Sequence, residues 1–393
     1  MALQPAAGAR DLNPRQVEGN RRIREQLAAV YRLWGYQEVD PPSVERLDTL
    51  AAGGGIAAQE LVRLASDEPL GLRPELTASI ARAACTRMAD RPLPLRLWAD
   101  GNTFRISLGD AGSQRINQEI QSGVELLGEP SLAADVELMR LLLAAATALG
   151  LRPEHRPTLL IGHHGVLQAL LALLPSTQRD AARAALTAYD KLALASLDLE
   201  ADQRQLLHEL LALRGVPTAV LDTLQRWLGP APLLQELRQM LALVAATAAA
   251  SGVALQFDPT FQPHFNLYDG LVLMLVCQGD AVPVAIASGG RYDSLVWRFS
   301  TPASLRTLPA AGVGFGFDVE ALRELLQPST ATAAPRLVAF ADGAQLQAGL
   351  DALEALHHSG TAAELHNQPL PDRAAAETIA AARGCSGLHW LGS

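Results

Sequence analysis

Apolar residues recur at helical spacing near the start of the chain. Asn13 is a suitable capping residue for a helix that begins at Pro14, and apolar positions then follow every three or four residues as far as Gly35. A short strand is predicted over 36–39, where two prolines end it. This part of the chain is therefore predicted to pack one helical face against a sheet.

Runs of apolar residues bounded by turn residues predict strands on both sides of a long central segment. A helix that begins near Thr77 is expected among them, and a turn at Asp100-Gly101 is expected to separate the first two strands. The predicted strands cover residues 95–98, 102–106, 119–127, 253–257, 271–277, 282–287 and 312–317. The strands over 271–277 and 282–287 are predicted to form a hairpin across residues 278–280.

The segment 151–252 is rich in leucine and alanine and has helical periodicity, so it is predicted to be a helical insertion. Residues 239–257 carry no charge, but Thr247, Ser251 and Gly252 interrupt them. We expect a buried helix that feeds a strand here, and not a membrane span.

The last part of the chain alternates strand and helix patterns, which predicts a small parallel α/β unit over 335–393. The preceding 1–326 would form the main domain, with the insertion inside it. The predicted fold class is α+β.

Composition narrows the functions that the chain can have. The 393 residues contain 32 basic and 41 acidic side chains, giving a net charge of −9, which disfavours a free-standing nucleic-acid binder. Among the basic residues, Lys191 is the single lysine. Three widely spaced cysteines indicate neither a disulfide framework nor a zinc site, and we expect no bound metal. The N-terminus lacks a secretory pattern, so a cytoplasmic location is expected.

The first candidate for chemistry lies at the start of the helix near residue 77. Glu75 and Thr77 place a carboxylate and a hydroxyl there. They could bind a ligand, or Thr77 could simply cap the helix while Glu75 complements the helix dipole. Both interpretations stay open from these residues alone.

The second candidate is a polar strand face. Arg105 lies in one strand, and Gln121, Gly123 and Glu125 alternate along the next, so the last three share a face. The glycine would leave room for a small ligand between an amide and a carboxylate. A solvent-facing strand is the alternative.

Two glycine-rich segments complete the set of candidates. Residues 288–293 read SGGRYD, in which Tyr292 could close over a bound group, and residues 312–318 read GVGFGFD. Each has a plain structural explanation, a strand-ending turn in the first case and tight packing in the second. Neither has the glycine and lysine spacing of a phosphate loop.

Taken in order, these segments resemble the catalytic core of histidyl-tRNA synthetases, from about residue 13 to 326. The resemblance implies the class II aminoacyl-tRNA synthetase fold, a mostly antiparallel sheet with flanking helices and a helical insertion. It also implies a pocket for histidine. The residues that would form this pocket are Glu75, Thr77, Arg105, Gln121, Glu125, Tyr268 and Tyr292.

The chain departs from the synthetase pattern where amino-acid activation needs charge. Ser107 stands in place of a glutamate that helps to seat ATP, while Ala321 and Pro263 stand in place of arginines. Adenylate formation develops negative charge that fixed cations must stabilise. We therefore expect no catalytic residues, no cofactor and little affinity for tRNA.

A histidine pocket without activation chemistry resembles the family of ATP phosphoribosyltransferase regulatory subunits. That resemblance implies a hetero-oligomer with the short-form catalytic subunit, histidine as the effector, and self-dimerisation through the class II core. Two alternatives remain: a divergent histidyl-tRNA synthetase, and another synthetase paralogue that senses an amino acid.

Overall fold

The computed structural model describes residues 5–52, 56–108, 112–262, 267–300, 309–327 and 334–392. The chain divides into two compact units, Met1–Pro328 and Ser329–Ser393. They are described one after the other.

The first unit contains all the elements predicted to flank the candidate site. Its helices are α1 (Pro14–Leu33), α2 (Leu47–Ala52), α3 (Thr77–Thr86), α4 (Leu132–Ala148), α5 (His164–Leu171), α6 (Arg179–Thr187), α7 (Lys191–Ala195), α8 (Ala201–Ala212), α9 (Pro217–Leu228), α10 (Pro232–Ala250), α11 (Asp293–Phe299) and α12 (Val319–Leu326). Its strands are β1 (Gln37–Glu38), β2 (Val44–Arg46), β3 (Leu70–Leu72), β4 (Leu95–Leu108), β5 (Gln114–Leu127), β6 (Thr158–His163), β7 (Ala254–Phe257), β8 (Leu271–Gln278), β9 (Pro283–Arg291) and β10 (Gly312–Asp318).

Eight strands form the central sheet, in the order β1-β4-β5-β10-β9-β8-β6-β7. The β1–β4 and β6–β7 pairs are parallel, and the remaining neighbours are antiparallel. The mostly antiparallel sheet with flanking helices predicted from the sequence is confirmed. β2 and β3 form a separate antiparallel pair.

The two faces of the sheet bury different sets of helices. Alternate residues such as Trp98 and Phe315 join the large core formed with α1 and α4. Residues of opposite parity, such as Leu97 and Leu127, pack with α3 and α11. Because successive side chains of a strand point to opposite faces, β4 and β5 supply residues to both cores. The candidate site lies on the face covered by α3 and α11.

The predicted turn at Asp100-Gly101 is wrong, because β4 continues through both residues and pairs with β5 along its whole length. Arg24 of α1 donates to Asp100, with 3.0 Å between Nε and Oδ2. Gly101 leaves space for the Arg73 guanidinium, whose Nη2 would lie 2.1 Å from a Cβ at this position. Both turn-forming residues are therefore used for contacts with distant segments.

One strand lies inside the segment that we predicted to be helical. β6 pairs with β7 and β8 near one edge of the central sheet, and helices follow it from α5 to α10. Its short apolar run is covered on both faces, and periodicity cannot separate such a strand from a buried helix. None of the described helices combines the length and apolar character needed to cross a membrane.

The second unit is a small α/β layer, as the alternating pattern predicts. Its parallel sheet has the order β12-β11-β13. The elements are β11 (Arg336–Phe340), α13 (Leu346–His358), β12 (Ala363–Leu365), α14 (Arg373–Ala382) and β13 (Gly387–Leu391). Leu337, Ala339 and Ala376 belong to its core.

Candidate functional site

A cleft opens on the α3 and α11 face of the central sheet, with an empty volume of about 560 Å³. Six of the seven predicted histidine-binding residues line it: Glu75, Thr77, Arg105, Gln121, Tyr268 and Tyr292. We call it the central cleft.

Glu125, the seventh residue, lies beneath the central cleft and is 3% exposed. The Tyr292 hydroxyl donates a hydrogen bond to its Oε2. Burial raises the pKa of Glu125 to about 8, although hydrogen bonds from Thr77 and Tyr292 oppose the rise. The charge of Glu75 raises this pKa further. A carboxyl group in this position is suited to a partner that carries N–H donors or positive charge.

The start of α3 holds the other carboxylate of the cleft. The Ala78 backbone N–H donates to both oxygens of Glu75, at 3.0 and 3.2 Å. Glu75, and not Thr77, therefore satisfies the helix N-terminus, while the Thr77 side chain interacts with Glu75 and Glu125. Burial raises the pKa of Glu75. Helix capping and a place in the cleft are thus compatible for the same side chain.

Gln121 and Arg105 also line the central cleft, and both contact the backbone beside Glu75. The Leu76 backbone N–H donates to Gln121 Oε1 at 3.1 Å, which joins β5 to the start of α3. Arg105 Nε donates to the Pro74 carbonyl oxygen at 3.0 Å. Among the described residues that line the central cleft, Arg105 is the one basic side chain. Its guanidinium can pair with a ligand carboxylate.

The glycines of β10, for which tight packing was the expected explanation, lie against pocket side chains of β5. A Cβ on Gly314 would lie 1.6 Å from Glu125 Oε2, and a Cβ on Gly316 would lie 2.6 Å from Gln121 Nε2. The register places Gly314 opposite Glu125. Alternate glycines therefore make room for the pocket side chains of the neighbouring strand. The sequence contains a sign of this arrangement, because glycine recurs at every second position of GVGFGF. Gln121 and Glu125 also lie on one face of their strand, where every second side chain points the same way.

The expected role of Gly123 is corrected. A Cβ there would lie 2.6 Å from the carbonyl oxygen of Phe315 in β10. Glycine at this position allows the close approach of two strands, and the space above it is not free for a ligand. Ser288, which the sequence analysis did not assign to the pocket, contributes to the cleft wall instead.

The pKa of Glu125 gives a testable dependence of stability on pH. The folded chain holds this proton more tightly than an ordinary glutamate of pKa 4.5. Stability should therefore fall as the pH rises from about 4.5 to about 8 and then level off, with a slope from this group approaching about 1.4 kcal/mol per pH unit. Urea unfolding between pH 5 and 9 measures the slope. Glu125→Gln, which cannot ionise, should flatten it, and an equal slope in the variant would contradict the assignment.

At the three positions where the chain departs from the synthetase pattern, uncharged residues stand in place of charged ones. Ser107 lies near the end of β4 and Ala321 lies in α12; Pro263 falls outside the described residues. Within the described part of the chain, no group of three or more histidine, cysteine, aspartate or glutamate side chains could hold a metal ion.

Comparison with known proteins identifies the family to which the chain belongs. The histidyl-tRNA synthetase family model matches residues 8–322. A Synechococcus sp. (strain RCC307) protein named ATP phosphoribosyltransferase regulatory subunit is 50% identical over the full length of both chains.

Two solved structures resemble the chain along nearly all of its length. A Bacillus halodurans protein described as an ATP phosphoribosyltransferase regulatory subunit/histidyl-tRNA synthetase superposes with a TM-score of 0.82 at 26% identity, covering 100% of this chain and 99% of the other. The histidyl-tRNA synthetase of Nostoc sp. PCC 7120, at 18% identity, has a TM-score of 0.75 over 98% of this chain and 90% of its own, which shows the shared fold. The chain belongs to the family of ATP phosphoribosyltransferase regulatory subunits, built on the histidyl-tRNA synthetase fold.

Proposed function

We propose that this chain is a non-catalytic regulatory subunit that the short-form ATP phosphoribosyltransferase catalytic subunit needs for activity. It binds free histidine and transmits feedback inhibition to the first step of histidine biosynthesis. The proposal includes a hetero-oligomer with the catalytic subunit and self-association through the class II core.

The observation that carries this proposal is the charge of the central cleft. Arg105 is the one basic side chain among its described lining residues, whereas Glu75 lines it and Glu125 lies beneath it. Losing one preorganised donor from a reaction site typically costs about 3 to 4 kcal/mol of transition-state stabilisation. A cleft with this charge, in a chain where Ser107 and Ala321 stand at positions that are charged in synthetases, is therefore suited to binding an amino acid and poorly suited to activating it.

Histidine has complementary groups for the polar walls of the cleft. Glu125, held by Tyr292 and Thr77, is the partner for the imidazole. Glu75 and Thr77 are the partners for the α-amino group, and Gln121 and Tyr268 line the same cleft. Arg105 is the proposed partner for the carboxylate. Each ligand group would then meet a side chain of opposite charge or hydrogen-bonding character.

Feedback through such a site requires a difference in affinity between two arrangements of the complex. Histidine must bind the inhibited arrangement more tightly than the active one, because a ligand with equal affinity for both shifts nothing. This coupling is reciprocal. If histidine changes the stability of the active complex, then formation of the active complex must change the affinity of this chain for histidine by the same factor.

The decisive experiment mixes purified chains. Phosphoribosyltransferase activity of the short catalytic subunit is measured alone, with this chain, and with this chain plus increasing histidine. We expect little activity alone, restoration on mixing, and loss of the restored activity as histidine is added.

A parallel assay separates the alternatives. Histidine-dependent ATP–pyrophosphate exchange by this chain alone would indicate a working synthetase. Histidine binding with neither exchange nor activation of the catalytic subunit would indicate a separate amino-acid sensor. Either result would contradict the proposed function.

A further inference from the structure

A second cleft adjoins the central cleft on the same face of the sheet. Its empty volume is about 630 Å³, and we call it the side cleft. It shares Arg105, Gln121, Ser288 and Gly316 with the central cleft. A ligand whose carboxylate meets Arg105 would therefore direct any group attached to that carboxyl carbon towards the side cleft.

Two carboxylates that line only the side cleft lie close to this shared wall. Glu119 pairs with Thr103 across β4 and β5, which makes it the diagonal neighbour of Arg105 on the same face. Asp318 pairs with Gln121 across β5 and β10. Arg105 is again the one basic residue among the described lining residues.

The position of Asp318 is fixed by its surroundings. Asp318 Oδ1 accepts hydrogen bonds from the backbone N–H groups of Glu320 and Ala321 at the start of α12, each at 2.9 Å. Burial and then the charge of Asp318 raise the pKa of Glu119, and the charge of Arg105 lowers it. The three side chains therefore interact, with two negative groups to one positive group.

We propose that Glu119 and Asp318 determine specificity at the histidine site by rejecting ligands that carry an anionic group beyond the carboxyl carbon. This inference rests on the proposed function, because it assumes that histidine occupies the central cleft. Free histidine places its single negative charge on Arg105. An alcohol in place of the carboxylate carries no charge into the side cleft, whereas a phosphate ester would carry up to two negative charges towards Glu119 and Asp318.

The selection would keep the regulatory site from responding to phosphorylated or adenylylated relatives of its ligand. Two like charges a few ångströms apart near a protein surface repel strongly enough to weaken binding by about fivefold or more. Each carboxylate is therefore sufficient to alter affinity measurably, and the two act in the same direction.

The test compares two ligands that differ only in the phosphate: histidinol, in which CH₂OH replaces the carboxylate, and its phosphate ester. Their affinities for the full chain are measured by calorimetry beside that of histidine. Glu119→Gln and Asp318→Asn remove charge with little change in shape, and asparagine retains the ability to cap α12. Glu154→Gln, an exposed carboxylate with a side chain 63% exposed, is the matched control.

We expect the phosphate ester to bind the unmodified chain at least about tenfold more weakly than the alcohol. The double variant Glu119→Gln/Asp318→Asn should reduce this ratio by about tenfold, and Glu154→Gln should leave it unchanged. If the ester binds as tightly as the alcohol, or if the double variant preserves the ratio, charge selection is refuted while histidine binding stands. If histidine itself does not bind, the proposed function fails and this inference fails with it.

Discussion

Replacing Glu125 with alanine should weaken histidine binding by about 100-fold or more, the largest effect that we expect from any single side chain. Removing one partner of a buried, hydrogen-bonded charged pair costs about 2 to 5 kcal/mol, because the remaining group stays desolvated without a partner. Glu125 is 3% exposed, and its Tyr292 partner is also buried. The imidazole would therefore lose its partner at a position that bulk solvent hardly reaches.

Substitution of Glu125 should lower the affinity for histidine much more than it lowers the free energy of unfolding. Burial raises the pKa of Glu125 to about 8, which shows that the ionised carboxylate is disfavoured in the empty cleft. Glu125→Gln keeps the size of the side chain and should retain or raise the free energy of unfolding near pH 8 while still losing much of the affinity. Because burial of the Glu125 carboxylate is unfavourable in the empty cleft, a variant can lose histidine affinity without losing stability.

Calorimetric titration with histidine and urea unfolding together check this prediction. Glu154→Ala changes an exposed carboxylate elsewhere and should leave both measurements unchanged. Unaltered histidine affinity in Glu125→Ala would show that the imidazole binds elsewhere. Loss of folding in both Glu125 variants would show that the carboxyl group is structural.

Adding a methyl group to β10 is the second change with a large expected effect. A Cβ on Gly314 would lie 1.6 Å from Glu125 Oε2 and 2.6 Å from the Val124 carbonyl oxygen. The neighbouring backbone cannot move without breaking the β5–β10 pairing. Gly314→Ala should therefore lower the free energy of unfolding by about 3 kcal/mol and abolish histidine binding.

Gly316→Ala provides an internal comparison on the same strand. Its Cβ would meet only the Gln121 side chain among its nearest neighbours, with Nε2 at 2.6 Å, and that side chain can rotate away. We expect about 1 kcal/mol of destabilisation but about tenfold weaker histidine binding, because Gln121 would lose its position beside Leu76.

Gly343→Ala in the second unit is the control, since a Cβ there would meet nothing within 4 Å. Urea unfolding and calorimetry are suitable for all three variants. If Gly314→Ala behaved like Gly343→Ala, the close approach of β10 to the pocket side chains would not limit the site.

Much of the candidate site could be predicted from the order and spacing of short motifs. Gln121 and Glu125 share a face because strand side chains alternate, and the structure places both at the central cleft. Asn13 capping α1 and the antiparallel β8–β9 hairpin follow from equally local rules. These features depend on residues that are close together in sequence.

Other features depended on contacts between segments far apart in the chain. Asp100 continues a strand and does not form a turn because Arg24, 76 residues earlier, satisfies its carboxylate. β6 is a strand because β7 and β8 flank it. The glycines of β10 acquire their role only opposite β5. Local sequence patterns thus identified the family and most of the residues that line the central cleft. The continuity of the strands and the space within the cleft were decided by burial and strand pairing. These depend on segments far apart in the chain, so they cannot be read from neighbouring positions.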